Sequence, residues 1–475
     1  MNILDSIINL LNSILWDYIL IFLLLGIGLY FNIRTRFIQI RLFPEMLRLL
    51  PEGIKEGEKE HKGISSFQAL AVSVASRVGT GNLAGVAIAV TVGGPGAVFW
   101  MWIVALIGGV SACIESTLGQ VYKQKDLTPG QRDHFLGGPA YYITKGMKNK
   151  PLGIVFAILM FFTFGMSYSM VQANTIGLAF SHLLPFGDEA FNLKLTALSL
   201  AVLTAWSLLG GASRIAKISS WVVPVMAIFY IMIALIVVAL NIRAFPGILK
   251  SIFVEAFNTK TAVPGGLLGG IMAIGIRRGL FSNEAGMGSG AYAAASAHVR
   301  HPAEQGLLQT LGVFIDTLVV CSATAFIILS SNVSDDLQGI QLTQAALGQH
   351  MGKIGPIFIA LAIFFFAYSS IIGNYFYCES NLQFLHANKK WFLVIFRLIV
   401  AALVFVGTIS KTSLVWNMTD LFIALLAMIN LFALIMLGNV ALKTLRDYER
   451  KRKNNLPMDF KASDIGMQGK LDEWN

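Results

Sequence analysis

Two stretches of the chain put groups capable of chemistry where an unbroken apolar helix would be expected. An apolar run over 66–91 carries Ser76-Arg77-Val78-Gly79-Thr80-Gly81-Asn82 in its middle. A second run, over 263–295, carries Arg277-Arg278-Gly279-Leu280-Phe281-Ser282-Asn283-Glu284-Ala285-Gly286-Met287-Gly288. A charge at membrane depth is expensive and needs a protein-lined or watery partner, and each glycine weakens a helix by about 1 kcal/mol. Both stretches therefore read as helices broken into halves, with unwound backbone lining a cavity. Taken alone, Gly79-Thr80-Gly81-Asn82 reads more readily as small residues that let helices pack closely. Arg77, Asn82 and the matching break at 278–288 favour the cavity. No strand precedes these glycines and their spacing is wrong for a dinucleotide or phosphate loop.

Other chemistry-bearing residues are scattered. Gln172 and Asn174 are amides in an otherwise apolar run, where hydrogen bonding between helices is the ordinary explanation. Arg77, Glu115, Arg277, Arg278, Glu284, Asp316 and Glu379 all fall inside apolar runs, and Glu284 is expected to pair with Arg277 or Arg278. Cys113, Cys321 and Cys378 have no metal or disulfide spacing. The 7 histidines lie in or near connections, so no metal or nucleophile cluster suggests an enzyme.

The elements that must hold these residues follow from composition. Of 475 residues, 55% are hydrophobic and only 13% charged, about half the charge of ordinary soluble domains. The net charge of +10 sits in short clusters between apolar runs, which fits a face next to anionic lipid and argues against nucleic acid. Runs of membrane-spanning length occur at 16–33, 66–91, 97–122, 152–180, 193–209, 215–240, 263–295, 306–330, 354–380, 391–408 and 415–440, eleven in all. Residues 3–11 suggest a short helix on the membrane surface. Basic residues concentrate in alternate connections, namely 34–65, 123–150, Arg214 with Lys217, Arg300, Lys389 with Lys390, and the tail from Lys443. That parity puts the N-terminus outside and the C-terminus in the cytoplasm. No Lys or Arg precedes Arg34, so a cleaved signal peptide is not expected.

The broken runs are the second and the seventh. Each opens a group of five, so the second group runs upside down relative to the first. The expected architecture is all-α and polytopic: an extra helix at 16–33, a first repeat over about 66–240, an inverted second repeat over about 263–440, and a basic then polar tail over 446–475. Matching broken helices in inverted repeats point to a midplane transport site. An ion channel would instead call for a filter or charged ring, and neither is found.

Four motifs then carry a resemblance. They are Gly79-Thr80-Gly81-Asn82-Leu83-Ala84-Gly85-Val86 followed by Gly93-Gly94-Pro95-Gly96-Ala97, Gly137-Gly138-Pro139-Ala140-Tyr141-Tyr142-Ile143, Gly279 to Ser289, and Phe366-Ala367-Tyr368-Ser369-Ser370-Ile371-Ile372-Gly373-Asn374-Tyr375. In this order they resemble the alanine or glycine:cation symporter family, the sodium:alanine symporters, over roughly residues 15–445. The resemblance implies a LeuT-like 5+5 fold preceded by one helix. It also implies sodium-coupled symport of a small neutral amino acid across the plasma membrane. Alanine or glycine is the expected substrate; a glutamine-preferring or proton-coupled permease of the same fold is the alternative.

For a zwitterionic substrate, backbone N–H groups around Thr80, Gly81 and Asn82 suit the carboxylate, and glycine allows close approach. Carbonyls and side-chain oxygens at Phe281, Ser282 and Asn283 suit the ammonium. The fold resemblance also brings Gln172 to the cavity and makes Phe281 a candidate lid. It further implies a sodium site built from the carbonyls of Ala75 and Val78 and the hydroxyls of Ser369 and Ser370. On residue type alone, that serine pair would simply bond back to its own helix. If protons drive transport instead, Glu284 and Asp316 are the first candidates.

Overall fold

The computed structural model describes residues 3–58, 64–126, 135–209, 211–257, 270–333, 336–386 and 389–474. Helices account for nearly all of it, beside one short antiparallel pair, β1 (Gln124–Lys125) and β2 (Phe135–Leu136). In chain order the main helices are α1 (Asp5–Thr35), α2 (Phe43–Glu58), α3 (Ser66–Arg77), α4 (Gly81–Gly93) and α5 (Gly96–Val121). Next come α6 (Pro139–Gly146), α7 (Lys150–Ser181), α8 (Glu189–Leu208), α9 (Gly211–Leu240) and α10 (Phe245–Glu255). The rest are α11 (Gly270–Asn283), α12 (Ser289–Ser296), α13 (Pro302–Leu329), α14 (Ile340–Met351), α15 (Ile354–Phe384), α16 (Lys390–Ile409) and α17 (Thr412–Lys453).

The starts of these helices are written locally. Ser65 and Gln68 form a reciprocal capping box at α3. Asn149 caps α7 ahead of Pro151, and Asp188 caps α8 through the Phe191 N–H at 2.8 Å. Such caps satisfy the orphan donors that an apolar helix cannot leave bare.

Among the described residues, eight helices are long and apolar enough to cross a bilayer, or nine if the bent pair Pro224–Leu240 and Phe245–Glu255 is one span. The expected eleven is not the number that length and composition return. The two broken runs account for part of the gap, because each half is too short to qualify. The start of the seventh run, 263–269, lies outside the described residues. At the N-terminus the surface helix expected over 3–11 is not separate: α1 continues from it without a break, and nothing between Asn12 and Leu15 would stop a helix. The connection 34–65 is not simply a loop either, since it holds the amphipathic α2.

α5 lies at the centre, packed against α11, α12 and α13. On the other side α7 packs against α15 and α16. The first half-helix, α3, joins the two groups, packed against α12 of one and α15 of the other. Beyond α17 the tail folds back onto the helix ends: the Phe460 N–H donates to the Arg300 carbonyl at 3.1 Å, and Trp474 Nε1 to the Gln120 carbonyl at 2.9 Å. There Lys123 is buried between the Phe135 and Trp474 rings and donates to the Ala297 carbonyl at 3.0 Å. Burial pushes its ammonium down to about 7.

Candidate functional site

α3 stops at Arg77, Val78 is extended at φ −72° and ψ 99°, and helix resumes at Thr80. Unwound backbone inside a membrane must find hydrogen-bond partners other than its own helix, and here neighbouring side chains supply them. The Gly79 N–H donates to Asn82 Oδ1 at 2.7 Å, and the Thr80 N–H to Gln172 Oε1 at 2.8 Å. The Ser370 hydroxyl lies 3.0 Å from the Ala75 carbonyl and 3.3 Å from that of Val78, with Ser369 at 3.5 Å from Ala75. Both serines also bond back to the Phe366 carbonyl, at 2.8 and 3.0 Å. The two explanations of the serine pair thus hold together: Ser369 and Ser370 satisfy their own helix and face the break.

Glycine is required here by space. A Cβ at Gly79 would lie 2.5 Å from Ser370 Oγ and 2.8 Å from Gln172 Oε1. One at Gly81 would lie 2.8 Å from the Ser282 Cα, so the two broken helices touch backbone to backbone at this point.

The second break is later than expected. α11 stays helical through Asn283, and the chain unwinds at Glu284, which is left-handed at φ 56°, and at Gly286 and Gly288 at φ 92° and 87°. Phe281, Ser282 and Asn283 therefore form the last turn of a half-helix, the end where carbonyls carry partial negative charge. The Phe281 carbonyl already accepts from the Tyr168 hydroxyl at 2.9 Å. Asn283 Oδ1 accepts the Ala285 N–H at 3.0 Å, a local turn that ends the helix. Glu115 on α5 accepts the Gly288 N–H at 3.0 Å and Asn430 Nδ2 at 2.9 Å, and Asn430 also reaches the Gly286 carbonyl at 2.9 Å.

The expected pairing of Glu284 with Arg277 or Arg278 is not what the structure has. Glu284 accepts from Ser76 at 3.1 Å and from Ser289 at 2.5 Å. Arg278 is ion-paired with Asp420 on α17, and Arg277 lies 3.5 Å from Asp17 and 4.0 Å from Asp420. Glu284 lies past the end of α11 in a left-handed turn, so helical spacing does not bring it to either arginine. Removing one partner of a buried ion pair costs about 3–5 kcal/mol, whereas replacing both with apolar residues is often near neutral. Arg278→Ala is therefore expected to lower the melting temperature in detergent more than the double variant Arg278→Met with Asp420→Leu.

Asp316, which the sequence offers only as a proton-coupling candidate, joins the site, together with three groups that the sequence does not single out, Thr317, Tyr168 and Trp416. Asp316 on α13 accepts from Asn82 Nδ2 at 2.7 Å and from the hydroxyls of Ser282 at 2.9 Å and Thr317 at 2.8 Å, so one carboxylate ties α4 to α11. Asn283 Nδ2 reaches Thr317 at 3.2 Å. Tyr168 and Trp416 sandwich Phe281, with centroids at 4.7 and 4.6 Å. Asp316 was visible as an intramembrane charge; the two aromatics gave no signal apart from ordinary packing. Asn174 belongs elsewhere: its Nδ2 donates to the Gly407 and Ser410 carbonyls at 3.1 and 2.8 Å and closes the end of α16.

Thr80, Gly81, Asn82, Gln172, Phe281, Ser282 and Asn283 are all buried, as are Ala75, Val78, Ser369 and Ser370, and Gln172 and Ser370 meet against Gly79. The Thr80 hydroxyl is buried with no protein partner. Together they make a closed, polar centre of backbone amides, hydroxyls and one carboxylate. Such a set suits a small zwitterion and a hard cation that seeks oxygen.

Comparison with known proteins gives the family and the fold. The chain is similar over residues 1–462 to the model of the sodium:alanine symporter family. It is 50% identical to the amino-acid carrier protein AlsT of Bacillus subtilis, over 99% of this chain and 97% of that one. It is 44% identical to the probable sodium/glutamine symporter GlnT of Bacillus subtilis, over 95% and 92%. It is 35% identical to the sodium/alanine symporter AgcS of Methanococcus maripaludis, over 94% and 98%. The crystal structure of MhsT in complex with L-phenylalanine superposes with a TM-score of 0.56 at 16% identity, over 79% of this chain and 90% of that one, a likeness of fold alone. That fold is the LeuT-like one, and the chain belongs to the sodium:alanine symporter family.

Proposed function

We propose that the protein is a secondary transporter that carries a small neutral amino acid, alanine or glycine, inward with sodium by alternating access across the plasma membrane. The observation that carries this reading is the meeting of two helix breaks at Gly81 and Ser282, beside a cluster of carbonyls and hydroxyls at Ala75, Val78, Ser369 and Ser370. In this reading the substrate carboxylate takes the N–H groups around Thr80, Gly81 and Asn82, with Gln172 orienting that loop. The ammonium takes the C-terminal end of α11 at Phe281, Ser282 and Asn283. Sodium takes the second cluster: hard cations prefer oxygen, and two carbonyls with two hydroxyls supply it without a fixed charge. Asp316 holds the two breaks in register through Asn82 and Ser282.

The two groups of five helices, about 66–240 and 263–440, act as inverted repeats that rock about this centre. Basic residues in alternate connections support an outside N-terminus and a cytoplasmic C-terminus. Glutamine is the second substrate reading, favoured by the 44% identity to a probable sodium/glutamine symporter.

The test is uptake of radiolabelled alanine into liposomes carrying the purified protein, under sodium, potassium and proton gradients of equal size. Sodium-driven accumulation competed by glycine is expected. Accumulation with protons alone would move the ion role to the buried carboxylates, and stronger competition by glutamine would change the substrate. Ser370→Ala is expected to raise the sodium concentration for half-maximal uptake by roughly 10-fold, equivalent to ~1.4 kcal/mol, with little change in alanine affinity at saturating sodium. Gln172→Ala should do the reverse and weaken alanine first.

A further inference from the structure

α1 and α17 end side by side, and between their ends lies a cavity of about 360 Å³ whose lining includes Arg34, Arg36, Arg41 and Arg446 with a single acid, Glu449. Glu449 is already taken, because Arg41 holds it through two nitrogens at 2.8 Å each. Arg34 bonds the Tyr30 hydroxyl at 2.9 Å, a neutral partner. Arg36 and Arg446 pair with no acid among the described residues. Three exposed guanidinium groups thus line one cavity without a counter-charge. Arginine's planar fork matches phosphate oxygens two at a time, and cations left together without an anion repel one another.

The backbone at the cavity is also unusual. Arg36 and Phe37 are consecutive non-glycine residues in the left-handed region, at φ 55° and 53°. Their N–H groups turn back to close α1, onto the Ile33 carbonyl at 3.1 Å and the Asn32 carbonyl at 2.8 Å. Strained backbone of this kind persists where the surroundings over-determine it and is common at ligand sites. Here it carries Arg36 around the helix end to the cavity.

We propose that this cavity binds the phosphate of an anionic phospholipid headgroup. The cavity stands where the apolar lengths of α1 and α17 give way to basic residues, the level of the lipid headgroups. Its neighbours on the outer side are apolar and exposed: Ile33 at 61%, Phe37 at 45% and Ile40 at 63%. These give acyl chains a seat directly beside the arginines, which a free phosphate would not need. Leu442 and Leu445 line the protein side of the cavity, so the phosphate is held between charge and an apolar wall. Basic pockets between membrane helices at this level are suited to such headgroups.

The experiment is native mass spectrometry of the purified full-length protein, with phosphatidylglycerol, phosphatidylcholine or inorganic phosphate added to the same detergent. Phosphatidylglycerol is expected to bind at one preferred site, at least about 10-fold more tightly than phosphatidylcholine, and to weaken as salt rises. The double variant Arg36→Gln with Arg446→Gln should lose that preference. A control of equal charge change, Lys250→Gln with Lys353→Gln, should keep it. Equal binding of both lipids to the unaltered protein, or full retention in the arginine variant, overturns the proposal. Inorganic phosphate that displaces phosphatidylglycerol at equal concentration overturns the lipid assignment in favour of a simple anion site. The lipid comparison on the unaltered protein stands even if the arginine variant fails to fold.

Discussion

Replacing Gly81 by alanine is expected to abolish sodium-driven uptake, a loss of at least about 100-fold, while the protein still inserts and purifies. The added methyl would stand 2.8 Å from the Ser282 Cα and 3.0 Å from its Cβ, closer than carbon atoms approach. No side chain can swing away, because the obstacle is backbone. α4 and α11 must therefore separate by several tenths of an ångström. Overpacking of this kind costs about 1–3 kcal/mol in stability, which a large helical protein tolerates. Function suffers more: displacing binding groups by about 1 Å can cost about 100-fold in rate. Gly79→Ala should be milder, since its clashes are with the ends of the Ser370 and Gln172 side chains. Uptake by the Gly81 variant at more than a tenth of the normal rate, with the fold intact, would show that the contact between the breaks is dispensable.

Asp316→Ala is the second change expected to silence the protein. Asn82 Nδ2 and the hydroxyls of Ser282 and Thr317 would lose their carboxylate acceptor together. A buried polar group left unpaired costs roughly 1–3 kcal/mol. Asn82 Nδ2 would keep only the weaker contacts to the Asp316 carbonyl at 3.2 Å and the Cys321 sulfur at 3.3 Å. The expected result is a lowered melting temperature and uptake below a hundredth of normal. Asp316→Asn separates the causes, because it keeps the shape and one acceptor but removes the charge. We expect it to fold and to lose most sodium-driven uptake. Normal uptake and sodium dependence in Asp316→Asn would reduce the residue to a hydrogen-bond post.

The helix breaks were legible because membrane helices leave few reasons for glycine, arginine and asparagine to meet in mid-span. Ser369 and Ser370 were ambiguous for a sound reason: a hydroxyl accepts and donates at once, so the pair bonds its own helix and the facing break together. The boundary of the second break was misjudged because Phe281, Ser282 and Asn283 have no property that ends a helix before Glu284 and Gly286 do. Tyr168 and Trp416 could not be found, since an aromatic ring against Phe281 and one packed on lipid are the same letter. Asp420 was missed although it is a carboxylate within an apolar run, the same signal that marked Asp316. Long-range pairs such as Arg278 with Asp420 depend on which faces meet, and that is set by packing.

The first break is built chiefly from main-chain atoms. Its N–H and C=O groups belong to every residue alike, and the glycines matter through what they lack. Mutation therefore has little to work on there: a side chain at 81 would push the two breaks apart, and one at 79 would crowd Ser370 and Gln172. The rings of Tyr168, Phe281 and Trp416 are different, since each can be trimmed or made polar by ordinary substitution while the main chain stays in place. If the first break holds the ion and the substrate carboxylate as proposed, a lineage carrying this scaffold is expected to keep those contacts and to diverge at the aromatic wall. Differences in the accepted side chain should be traceable among related chains to those three positions before any others.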